Sequence, residues 1–129
     1  MESSILFKLA DYIVYADNSV VSKTIIKKET GTITLFAFDK GQGLSPHKAP
    51  FDALVQIVEG ECVFLIGEEK NNMGTGDCII LPAGIVHSVE SVTPFKMLLT
   101  MIKISWVELM EGEIYKSILD LFYYLWSVK

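Results

Sequence analysis

From Val20 onward the chain is written in short apolar runs broken by turn residues, the pattern of strands rather than helices. Val20 to Lys27 and Thr32 to Phe38 flank Glu29-Thr30-Gly31 and predict a hairpin; Ala53 to Val58 and Cys62 to Ile66 flank Glu59-Gly60-Glu61 and predict a second. Gly67 to Asp77 is polar and reads as a connection. Cys78 to Leu81 is a buried run that must stop at Pro82, because proline has no N–H to give a ladder. Alternation is clearest at the end of this region, where Phe95, Met97, Leu99 and Met101 fall on one face and Lys96 and Thr100 on the other. The first set is expected to face the interior. Many short strands closed by turns predict an all-β sandwich or barrel of jelly-roll type over residues 20–104, in which closure hides the strand edges.

The two ends differ from this middle. Residues 1–19 read as a lead-in, a short helix or an extended segment, with Leu6, Leu9 and Ile13 at helical spacing. At the other end Ser105 and Glu108 form a capping-box pair, and residues 105–129 predict a C-terminal α-helix interrupted only by Gly112. Ile114, Ile118, Leu121, Leu125 and Val128 form one apolar stripe; Tyr115, Leu119, Phe122 and Trp126 form another beside it. Lys116, Asp120 and Ser127 leave only a narrow wet face, so a second surface is expected to cover the helix, which predicts a homodimer. A membrane span is not expected: about 15 apolar-leaning residues rise roughly 22 Å, short of the ~30 Å hydrocarbon core.

Composition narrows the function classes. The chain has 129 residues, enough for one domain with a core of its own, and half of them are apolar, which argues for a packed globule. A formal charge of −5 and no basic cluster longer than Lys27-Lys28 remove the footprint of a nucleic-acid binder. The start, Met1 to Lys8, has neither a basic opening nor a long apolar run, so a cytoplasmic protein is expected. Cys62 and Cys78 lack CxxC spacing and are expected to be reduced, buried thiols.

Two stretches carry the candidate chemistry. One runs from Gly41 over His47, Ala49 and Ala53 to Gly60; the other runs from Gly76 over Pro82, Ala83 and Gly84 to His87. Together they resemble the two sequence motifs of the cupin superfamily, which implies a conserved β-barrel whose interior commonly holds a metal. The resemblance implies that His47 and His87 stand at the first and last histidine positions of the ligand set. Ala49 stands where the pattern has its second histidine, Ala53 where it has a glutamate, and Ser91 where it often has asparagine. Half of the ligand set is therefore missing.

Two imidazoles suit a divalent transition metal such as Zn, Fe, Mn or Ni, but a stable site needs three or four protein ligands. Asp52 is the nearest substitute carboxylate, yet one residue before an inward position it points to the opposite face unless a bulge re-aims it. Gln56, Cys62, Met97 and Met101 do not restore the pattern either. Losing a histidine and a glutamate to alanine frees apolar volume, which suits an organic ligand. The leading expectation is a pocket for a small molecule around His47 and His87, walled by Phe36, Phe38, Met97, Leu99 and Met101. The alternatives are a metal-dependent enzyme of dioxygenase, isomerase or decarboxylase type, with His47, His87 and a nonstandard third ligand such as Asp52, and a non-catalytic interaction protein acting through its C-terminal helix.

Overall fold

The computed structural model describes residues 4–103 together with Leu121, Tyr124 and Leu125. Nine antiparallel strands make two sheets: β1 (Val20–Lys28), β2 (Gly31–Phe38), β3 (Gly43–His47), β4 (Asp52–Glu59), β5 (Glu61–Ile66), β6 (Glu69–Gly74), β7 (Cys78–Leu81), β8 (His87–Ser91) and β9 (Phe95–Ile102). The five-stranded sheet has the order β1-β2-β9-β4-β7, and the four-stranded sheet the order β3-β8-β5-β6. The pairs β5/β6, β4/β7, β3/β8 and β2/β9 nest inside one another. The chain is thus one long hairpin, centred on the β5–β6 turn, rolled so that its arms fall alternately into the two sheets, which is the jelly-roll connection.

The alternation read at β9 sets the interior. Met97 and Phe95 are 2% and 0% exposed, and they pack with Phe38, Val55, Ile57, Cys62, Phe64, Leu81 and Val89 between the sheets. Phe38 stacks flat on Phe95, ring centroids 4.4 Å apart. Gly60 makes the tight β4–β5 connection at φ 85°, a left-handed conformation, and a Cβ there would lie 2.7 Å from the Cβ of Phe95. Only glycine satisfies both demands.

From residue 4 on, the lead-in holds one short 3-10 turn, Leu9–Asp11, after which Tyr12, Ile13 and Tyr15 lie against the outer face of the five-stranded sheet. Ile13, 1% exposed, caps a second cluster with Leu35 and Ala37, whereas Leu6 is fully exposed. This segment also covers Lys96, whose outward face would otherwise be wet. The Lys96 ammonium donates to the Ala10 carbonyl and lies 3.4 Å from Glu59, while Glu59 accepts a 2.7 Å hydrogen bond from the Tyr15 hydroxyl. Burial, then the Glu59 carboxylate, push the Tyr15 phenol upward.

Three expectations change here. β3 forms where the alternation is too short to show, and β6 forms in the polar segment after Gly67, because an edge strand with one wet face can be written almost entirely in polar residues. Cys78 is exposed rather than buried, on the short edge strand β7; Cys62 is buried, and burial and then Asp77 push its thiol up to about 12. The predicted C-terminal helix lies outside the described residues except for Leu121, Tyr124 and Leu125, which are helical and exposed.

Candidate functional site

His47 ends β3 and His87 begins β8, and the register pairs them directly across the ladder. Their rings meet edge to face with centroids 4.4 Å apart and Nε2 atoms 3.1 Å apart. Each ring is held from behind by the carbonyl two residues earlier in the chain: His47 Nδ1 lies 2.7 Å from the Ser45 oxygen and His87 Nδ1 lies 3.1 Å from the Ile85 oxygen. Pro82, Ala83 and Gly84 turn the chain into this position. Gly84 donates its N–H to the Ala49 carbonyl, tying the turn to the loop before β4.

Asp52 serves the same turn. Its Oδ1 accepts a 2.8 Å hydrogen bond from the Ala83 N–H, so the carboxylate is spent on backbone and does not reach the histidines. The strand alternation that turns Ala53 inward turns Asp52 outward, which removes Asp52 as a third ligand. Ser91 is likewise a structural residue: its hydroxyl donates to the Asp39 carbonyl.

The histidines stand at the mouth of a pocket of about 80 Å³ between the sheets. Ala49, Ala53, Met97, Leu99 and Met101 line it, and so do Leu44, Phe51, Phe64, Leu81 and Val89. Phe36 and Phe38 are not part of this lining. They sit opposite Met97 and Phe95 at the inner end of β9, while the pocket opens toward Leu99 and Met101. Phe51 and Leu44 escape a sequence reading because one lies in a loop and the other on a strand too short to show its period. Among the described residues the lining holds no Lys, Arg, Asp or Glu. His87, 9% exposed, has its pKa lowered from 6.5 by burial and then by the neighbouring His47, against an opposing contribution from the Ile85 carbonyl. A wider groove of about 590 Å³ crosses the outer face of the four-stranded sheet beside Lys70 and Glu90, but the histidines do not reach it.

Two imidazole nitrogens converge, but methyl groups of Ala49 and Ala53 occupy the remaining wall, and the described residues hold no group of three or more His, Cys, Asp or Glu placed to bind an ion. Such a set does not fit a resident metal of the three- or four-ligand kind.

Two facing antiparallel sheets with jelly-roll connections and a histidine pair at one mouth define a small barrel protein. A family model described as a cupin domain matches residues 34–102, and the chain belongs to that family. Its structure is similar to that of a conserved protein of unknown function from Streptococcus pyogenes, at 31% identity and TM-score 0.77 over 81% of this chain and 92% of that one. A cupin 2 conserved barrel domain protein from Leptotrichia buccalis is 39% identical, with TM-score 0.73, over 75% of this chain and 47% of that one. A cupin superfamily protein from Desulfitobacterium hafniense is 26% identical, with TM-score 0.76, over 81% and 95%. No curated protein sequence matches this chain.

Proposed function

We propose that this cupin is a small-molecule-binding protein whose ligand enters the barrel beside His47 and His87. The observation that carries the reading is the combination of two converging imidazoles with a wall that, Ser88 apart, is apolar among the described residues and has alanines at the missing ligand positions. A concave apolar pocket with a few convergent polar groups is how a small ligand is held and oriented. A cytoplasmic setting accords with two free thiols, and no helix among the described residues is long and apolar enough to cross a membrane.

The test is a fragment screen of the full chain read at the methyl resonances of Met97, Met101 and Leu99. Binders are expected to move those methyls and the ring resonances of His47 and His87 together, and to be lost when Ala53→Trp fills the pocket. Fragments that bind only elsewhere would remove the reading. The metal-dependent alternative has its own readout: stoichiometric metal in untagged protein, lost in the His47→Ala/His87→Ala variant, would replace the binding function with that one.

The same proposal includes a homodimer. Outward residues Ile33, Thr100, Leu54 and Ile80 stand in one row across β2, β9, β4 and β7, beyond the part of the sheet that the lead-in covers. Ile80 and Ile102 are 63% and 64% exposed, and Leu121 and Leu125 of the C-terminal segment add further exposed apolar surface. A second copy of the chain would cover these sets. Ile80→Lys/Ile102→Lys is expected to give a monomer by light scattering; an unchanged dimer would place the contact elsewhere.

A further inference from the structure

The hydrogen-bond count at the histidine pair does not close. A carbonyl oxygen only accepts, so the Ser45 and Ile85 carbonyls require a proton on Nδ1 of each ring. A neutral imidazole carries one N–H, and both are now used. The two Nε2 atoms, 3.1 Å apart, therefore face each other as bare lone pairs. Three contacts share two protons.

Something has to lie between or in front of those lone pairs. Charging one ring would supply the third proton, but His87 is buried, and no carboxylate among the described residues lines the pocket to offset a cation on either ring. A metal ion would accept both lone pairs, but Ala49 and Ala53 leave it without further protein ligands. An anion would bring more lone pairs to a site that already has too many. The group that completes the count is a neutral donor.

We infer that the pocket selects a small neutral hydroxyl compound, whose O–H is donated to the paired Nε2 atoms of His47 and His87 while its carbon skeleton lies against Ala49, Ala53, Leu81 and Met101. This rests on the small-molecule reading above and gives it a chemical class. The size follows from the cavity: about 80 Å³ is roughly half the 150 Å³ void that accepts benzene, so the buried carbon skeleton of the ligand has about three atoms. An acceptor-only analogue of the same shape leaves the nitrogens unpaired and is rejected, as sites built around a substrate hydroxyl reject the analogue that lacks it.

Three probes of four heavy atoms each separate the cases: 2-propanol as donor, acetone as acceptor only, and acetate as anion, each titrated into the full chain at neutral pH and read at the Met97 and Met101 methyls. The expected result is 2-propanol binding about tenfold tighter than acetone, as one satisfied hydrogen bond provides, with acetate weakest. His47 is exposed at the mouth, so His47→Ala should keep the fold while the preference for 2-propanol over acetone drops below about twofold. Long-range proton–nitrogen spectra of the free protein should show both Nε2 atoms unprotonated. Equal binding of acetone, tighter binding of acetate, or a protonated Nε2 overturns the donor assignment and leaves the pocket standing. No response to any probe into the molar range overturns the pocket as well.

Discussion

An open pocket in the middle of a small barrel has a thermodynamic cost, and the structure gives its size. At about 24 cal/mol per Å³ of apolar void, the 80 Å³ beside Ala53 forgoes about 2 kcal/mol of stability. Ala53 lies on β4, turned inward, facing Leu81 on one side and Met101 on the other in the ladder. Ala53→Leu puts three more carbons into that space, and at about 0.8 kcal/mol per buried carbon this gives roughly the same 2 kcal/mol by an independent route. Ala53→Val, with two added carbons, should give about two thirds of that. In urea the transition midpoint should move upward through the series Ala, Val, Leu at constant slope, and 2-propanol should lose its effect on the Met101 methyl in the same order. Gln56→Leu, on the outward face of the same strand, controls for strand propensity and should leave binding intact. If Ala53→Leu is no more stable than the parent, or less so, neighbouring side chains already fill the space and the pocket is not a void that a ligand can enter.

The missing ligands can be put back. Ala49→His/Ala53→Glu places a third imidazole and a carboxylate on walls of the same pocket, so the double variant should gain about 2.7 kcal/mol of stability from Ni²⁺ or Zn²⁺ at a hundredfold excess over its Kd; calorimetry with and without chelator checks it, and the parent should not respond. Because the folded His87 pKa lies below its ordinary 6.5, the unfolded chain takes up more protons as the pH falls through that value, so stability is full above it and declines on acidification. His87→Gln should show a smaller loss than the parent between neutral pH and pH 5 in denaturant titrations. Gly60→Ala combines a left-handed backbone with a Cβ 2.7 Å from that of Phe95, and should cost at least about 2 kcal/mol, or roughly 8 °C in thermal unfolding.

What the sequence made legible follows from how strongly each residue is constrained twice. β2, β4, β5 and β9 have one face in the core, so their period shows in the residue types, and the inward set Phe95, Met97, Leu99, Met101 can be read directly. β3 and β6 are edge strands of the four-stranded sheet; with little of either strand buried, selection for apolar residues is weak and the period disappears. The histidines were readable because they sit at motif positions. Phe36 and Phe38 were placed on the correct face but at the wrong depth, since alternation gives the side of a sheet and says nothing of position along the barrel. The burial of Lys96 could not be read at all, because it depends on the lead-in crossing the outer face from 86 residues away.

The pairing of His47 with His87 raises the question of what two histidines do once half of a ligand set is gone. A single histidine kept for packing would need one partner, and its own upstream carbonyl would suffice. Here each ring already has that carbonyl, and the second nitrogen of each is aimed at the other across a ladder position, with no donor to either among the described residues. Two facing acceptors, one of them on the buried ring of His87, are costlier than an apolar pair of similar volume, so as a purely structural arrangement the histidines are inferior to two phenylalanines. A stability measurement therefore bears on function. If His47→Phe/His87→Phe raises the unfolding midpoint while abolishing the response to 2-propanol, the pair is maintained for what it binds. If the double variant is markedly less stable, the two rings hold the β3–β8 ladder together and the case for a ligand loses its main support.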